Sequence, residues 1–240
     1  MMKLFIITGA SKGIGHALAT ILEAEGHKVL RIARSNPNQL PNFMTLDITE
    51  DQASQTIMNW AKPFLGIANE ITLINNAGMI GPIAQIGNLM QEHVQQAITL
   101  NVTAPITLSN AFVAMTQDLP IIKNIINISS GAARKAYSGW GIYCTTKAAI
   151  DHFSRCLHAE QQTQTFPIRV TSLAPGVIDT DMQVEIRASN AQDFPHIDRF
   201  IDLKERGNLL SPHESATMII NYLNSPLMSG NNPIADVRDV

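Results

Sequence analysis

The fold is decided by eight residues near the start of the chain, Thr8-Gly9-Ala10-Ser11-Lys12-Gly13-Ile14-Gly15. They follow an apolar, strand-like run and lead directly into a helical pattern. In such a turn, Gly9 permits the sharp bend, Gly13 lets the backbone approach a pyrophosphate, and Gly15 lets the helix pack close to the strand. The helix N-terminus then presents unpaired N–H groups and a favourable dipole to the phosphates. The stretch therefore predicts a dinucleotide site at the start of an α/β domain, with a purely flexible glycine turn as the alternative.

The same alternation of strand-like and helical segments continues along the chain. The strand-like segments are rich in Ile, Leu and Val, as expected when helices cover both faces of a parallel sheet. The predicted strands are Lys3–Thr8, Lys28–Ile32, Phe43–Leu46, Ile71–Asn75, Asn124–Ser129, Ile168–Ala174 and Ile234–Val237. The predicted helices are Ile14–Glu25, Asp51–Trp60, Met90–Met115, Tyr143–Gln161 and Pro212–Leu223. This order predicts a single doubly wound α/β domain over residues 1–240, with parallel strands and right-handed crossovers.

The segment from Val177 to Leu210 differs from the rest of the chain. It is polar, it carries a cluster of charges, and it has no predicted strand. In an open α/β sheet it would follow the carboxyl end of the sixth strand, where ligands bind. We interpret residues 177–210 as a substrate lid.

Composition and charge narrow the function classes. The chain has 240 residues, a hydrophobic fraction of 45%, a charged fraction of 15% and a net charge of -3. This charge gives no basic field for nucleic acid or for an acidic membrane surface. No apolar stretch approaches the roughly 20 residues of a membrane helix, and the apolar run near the N-terminus is too short for a signal peptide. We expect a cytoplasmic protein that acts on a small molecule.

Neither the cysteines nor the histidines indicate a disulfide or a metal site. Cys144 and Cys156 fall in one predicted helix, where their spacing places them roughly 18 Å apart, beyond the ~7 Å limit for a disulfide. The seven histidines are scattered and show no ligand spacing with Cys, Asp or Glu. We therefore expect no disulfide and no structural metal.

The end of the second predicted strand favours NADPH over NADH. Sites for NAD place an acidic residue there to bind the ribose hydroxyl, but this chain has Arg34 and Ser35 and no acid. Arg34 can form two hydrogen bonds to a 2′-phosphate, and Ser35 can add a third. Lys12, in the glycine turn, would supply a second positive charge nearby. The alternative is that both cations are ordinary solvated surface charges.

Three residues have the chemistry that ketone reduction needs besides a hydride donor. Tyr143 and Lys147 are four residues apart on one predicted helix and share a face. A lysine cation near a phenol favours the phenolate, so we expect the pKa of Tyr143 to lie below 10 and closer to the working pH. Ser130, at the end of the fifth strand, would hydrogen-bond the substrate carbonyl, although Ser129 beside it is a rival. The alternative for the Tyr-Lys pair is a surface helix with a half-buried tyrosine.

Two apolar side chains are candidates for contact with the substrate. Trp140 lies just before Tyr143 and would form an aromatic wall of the pocket, with plain packing as an equal alternative. Met182 lies in the predicted lid and would face the substrate.

Taken together, these motifs resemble the short-chain dehydrogenase/reductase family over essentially the whole chain. The residues that match the family are Gly9, Gly13 and Gly15 in the glycine turn, Asp47-Ile48 at the adenine, Asn75-Asn76-Ala77-Gly78 beside the ribose, Asn101, Ser130, Tyr143 and Lys147 in catalysis, and Pro175-Gly176-Val177-Ile178-Asp179-Thr180 at the nicotinamide carboxamide. The resemblance implies a Rossmann fold with seven strands in the order 3-2-1-4-5-6-7. It also implies that Ser130 rather than Ser129 contacts the carbonyl, and that Asn101 completes a proton relay through a water molecule.

Within that family, the chain is similar to the bacterial benzil reductases and the sepiapterin reductases. The similarity lies in Ile128–Ala132, Gly139–Lys147, Asp179–Gln183 and Asp198–Lys204. It implies NADPH-dependent reduction of a small ketone or vicinal diketone by a homodimer or homotetramer. Sepiapterin reductases anchor the pterin with an acid near the C-terminus, and neither Asp236 nor Asp239 aligns clearly with it.

Two other functions stay open at this point. The first is reduction of a 3-oxoacyl thioester on a carrier protein, which would need a basic docking patch that a net charge of -3 does not suggest. The second is a non-catalytic NADPH-sensing protein, against which the complete set of Ser130, Tyr143 and Lys147 argues. From the residues and the resemblance together, the predicted cofactor site comprises Gly9, Ser11, Lys12, Gly13, Ile14, Gly15, Arg34, Ser35, Asp47, Ile48, Asn76, Ala77, Gly78, Tyr143, Lys147, Pro175, Gly176, Val177, Ile178 and Thr180.

Overall fold

Seven parallel strands form one sheet in the computed structural model, which describes residues 2–239. The strand order is β3-β2-β1-β4-β5-β6-β7, and each neighbouring pair is parallel. The strands are β1 (Lys3–Thr8), β2 (Lys28–Ala33), β3 (Phe43–Thr45), β4 (Glu70–Asn75), β5 (Ile122–Ile128), β6 (Arg169–Ala174) and β7 (Ile234–Asp236). The helices are α1 (Gly13–Ala24), α2 (Ala53–Ala61), α3 (Gln91–Ile98), α4 (Ala104–Thr116), α5 (Gly141–Gln161), α6 (Asp181–Arg187), α7 (Ile197–Glu205) and α8 (Pro212–Asn224). The predicted fold class and strand order are confirmed.

Helices cover both faces of the sheet, which explains why its strands are almost wholly apolar. Successive strand residues point to opposite faces, and β1 shows this clearly. Phe5 and Ile7 pack in the layer that contains α1 and α8. Leu4 and Ile6 pack in the layer that contains α2, α4 and α5. All four side chains are at most 1% exposed, so the sheet is the centre of a three-layer structure.

The long helix predicted at Met90–Met115 is one helical stretch in three parts. α3 and α4 are joined by a π-helical turn at Thr99–Thr103. Such turns are rare and often mark functional sites, and this one contains Asn101. The other predicted helices agree with the structure to within about two residues at each end.

This stretch, Gln91–Thr116, is also the one described segment that is long and apolar enough to cross a membrane, by length and composition alone. Polar residues interrupt this stretch, so it is not recognisable as a continuous apolar run in the sequence. Leu108 and Phe112 from this stretch are at most 2% exposed and pack against the sheet. The core helices of folded domains pass the same test.

The two ends of the predicted lid are hydrogen-bonded to each other, and the lid contains two helices, α6 and α7. Its ends pair with each other: Leu210 donates its N–H to the Val177 carbonyl at 2.9 Å, and Asp179 donates to the Leu210 carbonyl at 2.9 Å. Although the lid is polar in sequence, Phe194 and Phe200 are buried at 0% and 5% exposure. They pack with Trp140 and Tyr143 in a third apolar cluster. The lid is therefore a folded unit docked on the start of α5.

Candidate active site

A cleft of about 930 Å³ lies at the carboxyl ends of the strands. The glycine turn, the end of β2, the loops after β4 and β5, the start of α5 and the lid all line it. Of the predicted site residues, all but Gly15 and Asn101 line this cleft. The structure thus brings together predicted residues that are up to 173 positions apart, from Gly9 to Met182.

The glycine turn is held tightly against the loop that follows β4. Gly9 has a φ of 67°, and a Cβ on it would lie 2.8 Å from the Ala77 Cα atom. A Cβ on Gly15 would lie 2.5 Å from both the Gly9 oxygen and Asn76 Nδ2. Asn76 Nδ2 in turn donates to the Thr8 carbonyl at 2.9 Å and to the Gly9 carbonyl at 3.1 Å. Only glycine fits at these two positions, because the backbone approaches so closely.

The start of α1 is chemically suited to a phosphate group. Lys12 occupies the N-cap position without a side-chain cap, and the first turn contains no acid. The N–H groups at the start of α1 and the dipole of this helix are therefore available to an anion. Together with the glycine turn and the size of the cleft, this fits a nicotinamide dinucleotide, with its pyrophosphate at the start of α1.

Arg34 lies at the end of the cleft where the adenosine would bind. It is exposed, and no carboxylate among residues 2–239 lies within ion-pair distance of it. Burial raises the pKa of Asp47, but hydrogen bonds from Thr49 and the charge of Arg34 outweigh burial, so the net shift is downward. The free guanidinium beside Ser35 fits a 2′-phosphate.

Lys12 takes part in an ion pair that the sequence did not predict. Its Nζ lies 2.5 Å from Asp181 Oδ2, at the start of α6. The ion pair joins the glycine turn to the lid. Both side chains of this pair are mostly exposed, and Lys12 lines the cleft, so its predicted role beside a 2′-phosphate stays a prediction.

Ser130, Tyr143 and Lys147 meet where the cleft narrows under the lid. Tyr143 and Lys147 are each 7% exposed, and Lys147 Nζ lies 5.7 Å from the centre of the Tyr143 ring. Lys147 Nζ also donates to the Ile128 carbonyl at 2.8 Å, which ties α5 to the end of β5. Ser130 has an extended backbone and lines the cleft beside Tyr143. The rival Ser129 donates instead to Asp151 Oδ1 at 2.6 Å, so its hydroxyl is already engaged.

Burial dominates the ionisation of the Tyr143 and Lys147 side chains. It raises the pKa of Tyr143 to about 12, while the neighbouring Ser130 hydroxyl works in the opposite direction. The expected downward shift of the Tyr143 pKa is therefore wrong, because burial destabilises the phenolate more than the Ser130 hydrogen bond stabilises it. Burial also lowers the pKa of Lys147 to about 8, and the negative charge of Asp151 works against that shift. Tyr143 is thus a protonated phenol at neutral pH, as a proton donor must be.

Asn101 braces the site from outside the cleft. Its Oδ1 accepts a hydrogen bond from the Met79 N–H at 2.9 Å, and its Nδ2 donates to the Met79 carbonyl at 2.8 Å. Nδ2 also lies 3.2 Å from the Thr146 hydroxyl on α5. These contacts join the π-helical turn, the loop after β4 and the catalytic helix.

Aromatic rings form the substrate end of the cleft. Trp140 is 4% exposed and stacks on Phe194 with ring centres 4.5 Å apart. It also meets Tyr143 edge-on, with centres 5.7 Å apart. Trp140 therefore packs against the lid and also lines the cleft, as Met182 does, and contact of either side chain with a substrate stays a prediction.

Several lining residues at this end were not predicted, namely Lys135, Tyr137, Glu185, Arg199, Phe200 and Arg238. The lid sequence around Arg199 and Phe200 was recognised as similar to relatives, but periodicity did not show which of its residues face the cleft. Of the two C-terminal acids, Asp236 lines the cleft and Asp239 does not. Both Asp236 oxygens are bound by Arg238, Oδ1 to Nε at 2.8 Å and Oδ2 to Nη2 at 2.6 Å.

Comparison with known proteins agrees with this geometry. The family model for short chain dehydrogenases matches residues 3–191. A benzil reductase ((S)-benzoin forming) of Bacillus cereus is 38% identical over 92% of this chain and 94% of its own length. A sepiapterin reductase of Meriones unguiculatus is 32% identical over 91% of this chain and 90% of its own. The crystal structure of the KRED1-Pglu enzyme has a TM-score of 0.83 and 28% identity, over 93% of this chain and 95% of that one. The chain therefore belongs to the short chain dehydrogenase family and is an oxidoreductase that acts on carbonyl or hydroxyl groups.

Proposed function

We propose that this protein is an NADPH-dependent carbonyl reductase whose substrates are ketones or vicinal diketones with a flat, bulky group. One observation carries the proposal. A buried, protonated Tyr143 lies beside Ser130 and Lys147 in the cleft, directly below the aromatic wall of Trp140.

Ser130, Tyr143 and Lys147 have separate roles in the proposed reduction. The nicotinamide would supply the hydride. The Ser130 hydroxyl donates a hydrogen bond to the carbonyl oxygen and holds it near Tyr143. The Tyr143 phenol then gives its proton to the same oxygen as negative charge develops there. Lys147 would hold the nicotinamide ribose and places a positive charge next to the phenol. Pro175, Gly176, Val177, Ile178 and Thr180, which line the same cleft, would border the nicotinamide.

Arg34 supports the choice of NADPH. Its guanidinium is exposed at the adenosine end of the cleft and is not neutralised by an ion pair among the described residues. A 2′-phosphate there would gain charge-assisted hydrogen bonds that NADH cannot make.

The substrate class is supported by the aromatic wall and by the names of two relatives. A vicinal diketone is a good hydride acceptor, because the second carbonyl withdraws electron density from the first. Trp140, Phe200 and Met182 offer it a flat apolar surface, and aromatic stacking adds roughly 0.5–1.5 kcal/mol beyond area burial. The Arg238 contacts occupy both Asp236 oxygens, so that acid is less suited to anchoring a pterin.

A comparison of substrates tests the proposal. NADPH consumption is measured with benzil, a phenyl-propanedione, sepiapterin and an acetoacetyl thioester, with Tyr143→Phe as the inactive control. We expect the aromatic diketones to have the highest kcat/KM and to give the hydroxyketone. If the thioester has the highest kcat/KM, the protein is a 3-oxoacyl thioester reductase. If no carbonyl compound consumes NADPH, the NADPH-sensing alternative replaces the enzyme.

We also propose that the protein assembles as a homodimer or homotetramer. The apolar stretch Gln91–Thr116 supports this, since only 33% of its most apolar window is buried within one chain. Apolar helix surface of this kind is suited to contact with a second copy. Light scattering after size-exclusion chromatography tests it, and a monomer at micromolar concentration would contradict it.

A further inference from the structure

Asp151 is a buried carboxylate that the reaction proposed above does not use. It lies on α5, one helical turn after Lys147, and is 2% exposed. A charge in such a position is costly unless hydrogen bonds and an ion pair compensate it. Its surroundings should therefore show what the charge does.

Each contact of Asp151 comes from a different element of the active site. Ser129, at the end of β5, donates to Oδ1 at 2.6 Å, and Ser172, on β6, donates to Oδ1 at 2.7 Å. Arg134, in the segment after Ser130, donates to Oδ2 at 3.2 Å. Arg134 also reaches the Ala235 carbonyl of β7 at 3.1 Å. Asp151 thus links α5 to the end of β5 and to β6, and through Arg134 to β7.

The link to Ser129 has a direct consequence for Ser130. Neighbouring residues in an extended backbone point to opposite sides, and Ser130 is extended, with φ of −162° and ψ of 157°. Fixing the Ser129 hydroxyl behind the strand therefore fixes the side on which the Ser130 hydroxyl lies. Arg134 holds the segment on the other side of Ser130 to the same carboxylate.

The second consequence concerns Lys147. From its own helix, Lys147 is faced by the Tyr143 phenol and by the Asp151 charge. From β5 it meets the Ile128 carbonyl. The neutral Asn101 amide, on the π-helical turn, lies near Gly78 as Lys147 does: a Cβ on Gly78 would lie 3.2 Å from Asn101 Oδ1 and 3.7 Å from Lys147 Nζ. Arg134 pairs with Asp151, and its side chain is 35% exposed.

We propose that Asp151 is a positioning residue, which orients Ser130 from behind the strand and places a negative charge one helical turn from Lys147. The inference rests on the proposed roles of Ser130 and Lys147. Asp151 touches neither substrate nor cofactor, and it acts only through these two residues. Its negative charge opposes the effect of burial on the pKa of Lys147, so it keeps that side chain positively charged over a wider pH range.

Asp151→Asn tests the proposal with little change in shape, because it removes the charge and one acceptor atom. The matched control is Glu160→Gln, which removes one charge from an exposed position on the same helix. We expect kcat of Asp151→Asn to fall by about tenfold to 100-fold, since a misplacement on the order of 1 Å costs about 100-fold. We expect the alkaline limb of its kcat/KM profile to move down by about one pH unit, because a nearby opposite charge raises a lysine pKa by roughly that amount or more. Glu160→Gln should match the wild type in both.

A second variant and a second measurement separate the effect of Asp151 on Ser130 from its effect on Lys147. Ser129→Ala keeps the Asp151 charge, so it should lower kcat without moving the pH profile, even if Asp151→Asn folds poorly. NMR of isotopically labelled lysine, with Lys147→Arg to assign the signal, follows the Lys147 titration without any turnover. Wild-type values of kcat and of the Lys147 pKa in Asp151→Asn would overturn the inference. A wild type that reduces no carbonyl compound would instead contradict the proposed function, and the NMR titration would still decide whether Asp151 acts on Lys147.

Discussion

Gly139 is the point at which the lid docks on the catalytic helix, and replacing it with alanine should undock the lid. Gly139 has a φ of 86°, a conformation that costs a residue with a side chain about 1–3 kcal/mol. A Cβ there would lie 2.1 Å from the Asp193 carbonyl oxygen and 3.1 Å from its carbon. Ordinary van der Waals contacts begin at 3.4 Å, so the lid backbone must move by more than 1 Å or separate.

The contacts that hold the lid at this point are few, which sets the magnitude. Phe194 stacks on Trp140 with ring centres 4.5 Å apart, a contribution of roughly 0.5–1.5 kcal/mol. Gln85 Nε2 donates to the Asp193 carbonyl at 3.1 Å, a contribution of about 1 kcal/mol. The steric clash therefore costs more free energy than these nearby contacts contribute. We expect the docked lid to lose about 2–4 kcal/mol, or roughly 30-fold to 1,000-fold in population.

The assay separates lid docking from cofactor binding and from backbone strain. For Gly139→Ala we expect kcat/KM for benzil to fall at least about tenfold, with the Kd for NADPH within about twofold of wild type, because the glycine turn and Arg34 are distant from Gly139. Amide exchange should speed up across residues 188–203. The matched control is Gly26→Ala, where φ is 82° but no atom lies within 4 Å of the added Cβ. Strain alone should lower its melting temperature without changing kcat/KM. Equal kcat/KM and equal exchange in the two variants would refute the proposed docking.

Three further predictions concern the chemistry of the cleft. Arg34→Asp should weaken NADPH binding by about tenfold to 100-fold, since a hydrogen bond to a charged group contributes about 1.5–3 kcal/mol; equal wild-type affinities for NADH and NADPH by titration would contradict it. Tyr143→Phe should bind NADPH normally and lose most turnover, whereas Lys147→Ala should be impaired in both NADPH binding and turnover. Near-normal turnover by Tyr143→Phe would rule out the mechanism. In the wild type, kcat/KM should fall as the pH rises through about 8, because Lys147, whose pKa burial lowers to about 8, loses its charge there; a profile that is flat from pH 7 to about 10 would show that this charge is not needed.

The fold and the central residues could be predicted because each depends on local rules. Gly9 has a positive φ, and the backbone approaches Gly15 too closely for a Cβ, so only glycine fits at these two positions. Strands covered on both faces must be apolar throughout, which is why β1, β4 and β5 were recognisable. The spacing of Tyr143 and Lys147 places both on one helix face whatever the rest of the chain does.

The parts that sequence reasoning missed depend on contacts between distant segments. Lys12 was expected near a 2′-phosphate, and nothing in its neighbourhood indicates an ion pair with a residue 169 positions away. The polar lid gave no sign that Phe194 would stack on Trp140, because neither residue belongs to a periodic apolar pattern. Asp151 looked like one more charge on a long helix, and only the structure shows it buried between Ser129 and Ser172.

Burial is the reason that the pKa of Tyr143 shifts in the direction opposite to the expected one. The expected downward shift rested only on the attraction between a phenolate and Lys147, because the spacing of the two residues does not reveal how deeply they are buried. In the structure, burial disfavours the charged form of both residues: it raises the pKa of Tyr143 to about 12 and lowers that of Lys147 to about 8. Reduction requires a phenol that still holds its proton, whereas oxidation of the alcohol requires a phenolate that accepts one. The Tyr143 phenol therefore holds its proton throughout the neutral range, which is the form that the proposed reduction requires.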